Sequence, residues 1–227
     1  MTFCRFAVYC LTIASLAAGP ALPQDPDEWL RLHAVHINRT PQQAWTGYGV
    51  YMGNGLVITA AHVIGWAFWT KPRVEVAGKN LPTKVVKEGS LSGADVALVS
   101  VDEGELPENL RPLHMTLCPI DPFPGEQVIV VTPEGIARSH VMSPTLLPRD
   151  VPAKFHTVIS DVATTGNSGS GVFDEGERCL LGIISRRIFR IQTVQENGKT
   201  INESYDIAKY FVPSSEIADF IPRGLHF

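Results

Sequence analysis

"GYGVYMGNGLVITAAHV", Gly47 to Val63, alternates small and apolar residues, breaks at Gly53-Asn54-Gly55, and then runs apolar again. Two short apolar stretches around a Gly-Asn-Gly step read as an antiparallel strand pair joined by a tight turn. Glycine and asparagine tolerate the positive φ that such turns require. The pair ends at His62, just after the small Ala60-Ala61 step. A lone histidine at a strand end is most often structural. Here the apolar strand before it would fix the imidazole firmly, and a general base needs that placement.

Outward from this pair the same texture continues. Candidate strands, β-branched or aromatic and bounded by turn residues, are 32–37, 49–52, 56–59, 73–76, 83–86 and 96–101. Further along come 127–131, 155–159, 171–173, 180–184, 188–194 and 207–212. Helical periodicity is confined to 214–221, where Ser214 or Ser215 can cap a helix bearing Ile217, Phe220 and Ile221. Many short strands without intervening helices predict an antiparallel sandwich or barrel. The stretch 103–125 holds Pro107, Pro112, Pro119, Pro122 and Pro124 and reads as a connector. The expected organisation is a first β-unit over 22–110, a connector over 111–126, and a second β-unit with a terminal helix over 127–227.

The composition suits a globular protein: 44% of the 227 residues are hydrophobic and 19% charged. Disorder would need fewer apolar residues. A formal charge of −4 gives no general attraction to nucleic acid or anionic lipid. Arg5, a short apolar run to Ala18, and the small residues of Ala17-Ala18-Gly19-Pro20-Ala21 have the layout of a secretory signal peptide over 1–21. That predicts an exported protein, secreted or periplasmic, with no stable membrane association; a retained anchor is the alternative. Removal of the signal leaves Cys118 and Cys179, which either form a disulfide, as an oxidising compartment permits, or remain two buried thiols.

Two further stretches give His62 possible partners. In "SGADVALVSVD" Asp95 opens an apolar run, where a carboxylate is costly unless solvated or paired. By itself it reads as a turn residue capping a strand. Paired with a histidine, a buried Asp fixes the imidazole tautomer and stabilises the imidazolium. In "TTGNSGSGVF", Thr164 to Phe173, glycine before Ser168 lets the chain turn so that the amides of Gly166 and Ser168 converge on a developing oxyanion. Gly169 removes a side chain that would crowd an approaching substrate.

Taken in order, "VITAAHV", "ADVALV" and "GNSGSGVF" resemble the His, Asp and Ser boxes of the chymotrypsin-fold, trypsin-like serine proteases. The resemblance covers roughly 32–220. It implies an all-β fold of two antiparallel six-stranded barrels, with the active site in the seam and a short C-terminal helix. It implies a catalytic triad of His62, Asp95 and Ser168, an oxyanion hole from Gly166 and Ser168, and a protein or peptide substrate. It further implies that "LLGIIS" lines the substrate, with Ser185 supporting Asp95.

Departures from the family pattern narrow the expectation. Asn167 stands where digestive members carry Asp, so activation through a terminal ion pair is not expected, and the pattern is similar to the bacterial heat-shock and glutamyl-endopeptidase branches. Val162 falls at the pocket base, with Asp161 one residue away, which disfavours cleavage after Lys or Arg. Arg186 and Arg187 follow Ser185 and are either solvated strand charges or attractors of an acidic side chain. The expected preference is small apolar or acidic. His33, His36, His114, His140 and His156 lack ligand-spaced partners, so neither a metal nor another cofactor is expected. Trp66 and Trp69 read as packing or rim residues. An α/β-hydrolase is set aside because Ser170 replaces the required glycine and the alternating helices are missing. The remaining alternative is a catalytically silent fold that serves as a binding or chaperone module. Oligomeric state has no signature in the sequence.

Overall fold

The computed structural model describes residues 25–40, 47–66, 68–160, 168–196, 199–225 and 227. The segment read as a signal peptide, along with Asp161, Val162, Gly166, Asn167 and His226, lies outside them.

Asp25 starts a helix that the sequence reading missed. Its carboxylate accepts the Asp27 amide at 2.9 Å, Pro26 occupies the first turn, and α1 runs over Pro26–His33. The expected strand 32–37 therefore begins only at Ala34, as β1 (Ala34–Asn38). β2 (Gly47–Gly53) and β3 (Leu56–Thr59) form the anticipated hairpin, with φ of 116°, 50° and 72° at Gly53, Asn54 and Gly55. A short helix α2 (Ala61–Ile64) follows, and then β4 (Arg73–Val76), β5 (Lys79–Pro82), β6 (Lys84–Glu88) and β7 (Ala97–Ser100).

These seven strands form one antiparallel sheet in the order β5-β4-β1-β2-β3-β7-β6. The expected first barrel of six strands is corrected here. Among the described residues the sheet has seven strands and open edges at β5 and β6. β6 protects its edge with the exposed charges of Lys84, Lys87 and Glu88.

The second unit does close. β8 (Gln127–Thr132) and β9 (Gly135–Met142) form a hairpin, and β10 (Val158–Ile159), β11 (Gly171–Asp174), β12 (Leu180–Glu196) and β13 (Lys199–Pro213) complete a barrel ordered β10-β13-β12-β11-β8-β9. The segments 180–184 and 188–194 are one strand rather than two, bent by register shifts at Ile184/Arg186 and Ile188/Phe189. The last helix, α3 (Ser214–Phe220), buries Ile217 and Phe220. Neither serine caps it, since Pro213 holds the cap position. Its far end is tied to the first sheet by Lys87 Nζ, which donates to the Phe220 carbonyl at 2.6 Å.

One core cluster spans both units: Leu30 of α1, Met52 and Leu98 of the first sheet, and Ile129, Phe173 and Leu180 of the barrel. Burial of such side chains contributes about 1.5–3 kcal/mol each, so the seam between the units is itself a core. α1 fastens its outer rim. Asp27 pairs with Arg138 of β9 and, at 2.5 Å, with Arg178, while Arg31 donates to the Pro133 carbonyl at 3.0 Å. Burial pushes the Asp27 carboxyl up, but the two guanidinium groups outweigh it and hold it below its usual value.

Candidate active site

His62 is positioned from both sides by main-chain geometry. β3 is buried throughout, and Ala60 and Ala61 are small enough to pass through the packed interior on the way to α2. Arg39 then straps α2 by donating to the His62 carbonyl at 2.6 Å and the Val63 carbonyl at 3.2 Å. One carboxylate finishes the placement. Asp95 accepts the His62 backbone N–H on Oδ1 at 3.1 Å and the ring Nδ1–H on Oδ2 at 2.8 Å.

Asp95 is only 1% exposed, which is tolerable because a third donor reaches it: Ser185 Oγ–H at 2.6 Å from Oδ2. Burial is the largest single influence and pushes its carboxyl up. The hydrogen bonds from His62 and Ser185 outweigh it and hold Asp95 below the usual carboxylate value. An ionised carboxylate only accepts, so in the neutral ring the proton sits on Nδ1 and Nε2 keeps its lone pair. The loop before Asp95 needs Gly89, where a Cβ would lie 2.2 Å from the Ala94 carbonyl oxygen.

Ser168 stands on the turn into β11 and is gripped by both units. Its carbonyl accepts the Tyr48 N–H of β2 at 2.9 Å, while the next amide, Gly169 N–H, donates to the Ile184 carbonyl of β12 at 2.7 Å. Gly169 has φ +87°, and a Cβ there would sit 1.9 Å from the Tyr48 carbonyl oxygen. The glycine is therefore required by contact between two backbones, a constraint the sequence did not disclose. The Ser168 hydroxyl donates to the Ser185 carbonyl at 3.2 Å rather than to the imidazole. Ser185 thus touches both halves of the site: its hydroxyl holds Asp95 and its carbonyl holds Ser168.

Other residues singled out from the sequence fall as follows. Gly166 and Val162 lie outside the described residues. Arg186 is half-buried and engaged. Its Nη2 donates to the Leu91 carbonyl at 2.7 Å, and its guanidinium lies 4.5 Å from the Phe155 ring centroid, tying β12 to the loop that precedes Asp95. Arg187 pairs with Asp206 at 3.2 Å and lies against Phe189. Cys118 and Cys179 are joined as a disulfide with an S–S distance of 1.95 Å, fastening the connector to the start of β12. His36 bonds Glu134 at 2.5 Å, and Trp66 and Trp69 are 72% and 74% exposed, so neither is a packing residue. His33, read as a strand residue, ends α1 and is buried, with Nδ1–H donated to the Tyr51 carbonyl at 2.6 Å. Among the described residues no cluster of three metal-ligating side chains occurs. Sequence reasoning missed Arg39 and Tyr48. Arg39 acts on main-chain oxygens and Tyr48 through its own main chain, so neither leaves a motif.

A family model described as a trypsin-like peptidase domain matches residues 47–183. No curated protein matches the chain in sequence. Among solved structures, the chain is similar to the MamO protease domain from Magnetospirillum magneticum at 20% identity and TM-score 0.56, over 85% of this chain and 97% of that one. It is similar to the active form of a protease from M. tuberculosis at 15% identity and TM-score 0.55, over 92% of each chain. A human pathogenic astrovirus serine protease matches at 18% identity and TM-score 0.53, over 85% of this chain and 94% of that one. At these identities the likeness is one of fold.

Proposed function

The chain belongs to the trypsin-like peptidase domain family, and on that premise we propose that it is an exported serine endopeptidase working through His62, Asp95 and Ser168. The observation that carries this reading is the threefold grip on Asp95, which fixes the imidazole tautomer with Nε2 unprotonated. In the proposed reaction, Ser168 Oγ attacks a peptide carbonyl as Nε2 takes its proton. The amides of Gly166 and Ser168 hold the oxyanion. The imidazolium then protonates the leaving amine, and water resolves the acyl-enzyme with His62 as base. In this reaction the Ser168 hydroxyl exchanges the Ser185 carbonyl for the imidazole, and catalytic hydrogen bonds commonly tighten only when substrate binds.

For specificity, the engagement of Arg186 and Arg187 elsewhere favours a small apolar side chain before the scissile bond over an acidic one. Profiling with a peptide library tests this, and dominant cleavage after Lys, Arg, Asp or Glu would overturn it. One observation favours the second reading, a silent binding module: the Ser168 hydroxyl is bonded away from His62. An active-site phosphonylating reagent separates the two. The protease labels at Ser168 and loses both label and turnover in Ser168→Ala, with turnover falling roughly 10⁴- to 10⁶-fold. A folded protein that never labels is the binding module.

A further inference from the structure

β12 outlasts the barrel that it helps to close. Up to Ile184 it has neighbours on both sides: β13 on one, and on the other β11 and the Ser168–Ser170 turn, through Gly169 N–H to Ile184 O at 2.7 Å and Ile184 N–H to Ser170 O at 2.9 Å. From Arg186 onward, among the described residues, no backbone hydrogen bond reaches β12 on that second side, while pairing with β13 continues to Glu196↔Lys199. The projecting part is a two-stranded ribbon about 35 Å long at 3.3 Å per residue. Beyond Ile188 both its faces are wet, with Phe189 45%, Ile191 60% and Tyr205 47% exposed. A bare ribbon with an open edge is a template for another strand, and it is marginally stable without one.

The open edge has a defined start. It begins beside Ser185, whose carbonyl already holds the Ser168 hydroxyl. A polypeptide added antiparallel to β12 therefore has one end at Ser168. Because β12 runs from Ser185 outward, the antiparallel partner runs inward, and its N-terminal residues lie toward the hairpin tip.

We propose that the projecting β12–β13 hairpin is an extended substrate site that takes up to about ten residues upstream of the scissile bond as an added β-strand along the edge from Arg186 to Gln195. The occupant is an unfolded polypeptide segment, since a folded surface cannot present so long an open strand. Phe189 pairs with Asp206 and Ile191 with Ser204, which puts both apolar side chains on one face of the ribbon. Alternate upstream residues of the substrate meet that face, so apolar residues at every second position are favoured. This inference rests on the protease reading and adds to it the class of substrate.

The test uses the mature protein and nested, internally quenched peptides built around a bond that it cuts in unfolded casein. With ten upstream residues, kcat/KM exceeds the value for three by roughly tenfold or more, the effect of a few added backbone hydrogen bonds. N-methylation of alternate upstream amides abolishes the gain on one of the two phases. Replacing 191–204 by Asn-Gly abolishes it too, while the three-residue peptide is cut at an unchanged rate. Equal rates for the two lengths, indifference to N-methylation on both phases, or a gain that survives in the shortened hairpin would overturn the proposal. Should the shortened variant misfold, the N-methyl series on the unaltered protein decides. A protein that neither cleaves nor labels at Ser168 sinks the protease reading and this inference with it; one that labels and cleaves without length dependence sinks only the latter.

Discussion

The two ends of β12 both carry large apolar side chains but have opposite surroundings. From Leu180 to Ser185 every residue is buried, and Ser185 spends both its hydroxyl and its carbonyl on the site. Beyond Ile188 the strand keeps Phe189, Ile191 and Val194 but loses its second neighbour, and these side chains meet solvent wholly or in part. Apolar content therefore says little about what a strand does. Closure of the barrel makes the inner end a rigid shelf, and continuation past the barrel makes the outer end an open edge.

The comparison can be broken most severely at Gly182, in the inner end, where a Cβ would lie 2.2 Å from the Val212 carbonyl oxygen of β13. Gly182→Ala must push two paired backbones apart, and is expected to cost about 3 kcal/mol or more. Thermal unfolding or soluble yield reads it; a variant that melts with the parent would show that the inner end is not tightly packed.

A buried group outside the strand sharpens the contrast by lacking a partner. His33 Nε2 has none among the described residues, and burial above all lowers its pKa from 6.5 to about 4, with the Tyr51 hydrogen bond opposing and His114 adding to the effect. Between those values the unfolded chain binds a proton that the folded one refuses. Stability is thus full above pH 6.5 and falls as the pH drops to about 4, by on the order of 3 kcal/mol. Urea midpoints at pH 7 and 4.5 should separate widely for the parent, and by clearly less for His33→Gln.

Ser185 is the satisfied counterpart. Ser185→Ala removes one of three donors to a carboxylate shielded from water, and should cost about 1–3 kcal/mol. It should also lower kcat about tenfold, because Asp95 is held less well. Unchanged turnover would confine Ser185 to stability. The smallest effect is expected in the outer end: Ile191→Ser should alter the melting free energy by less than about 0.5 kcal/mol. A larger loss would mean that the ribbon is packed against something in solution.

What the sequence disclosed follows from the same distinction. The strand pair around Gly53-Asn54-Gly55 and the residue types at 62, 95 and 168 were legible because turn chemistry and reactive side chains are local. β9 escaped notice because "GIARSHVM" mixes Ala, Arg, Ser and His into a strand that its neighbours impose. The Arg186-Arg187 pair made one strand look like two, and the bulges beside it have no sequence signature. Whether a sheet closes depends on its first and last strands meeting, which no residue pattern within β5 or β6 reports. Helix α1 was signalled by Asp25-Pro26 and overlooked, because the alternation of "LHAVHI" spoke for a strand.

That overlooked helix has a consequence for how the chain can be divided. By position α1 opens the first unit, yet Asp27 pairs with Arg138 and Arg178 of the second, and Leu30 enters the core common to both. A fragment expressed from the connector onward would begin life with Arg178 stripped of its carboxylate, Arg138 left to Glu175 alone, and an unroofed hydrophobic seam. The halves are accordingly expected to behave as inseparable parts of one cooperative body rather than as interchangeable modules.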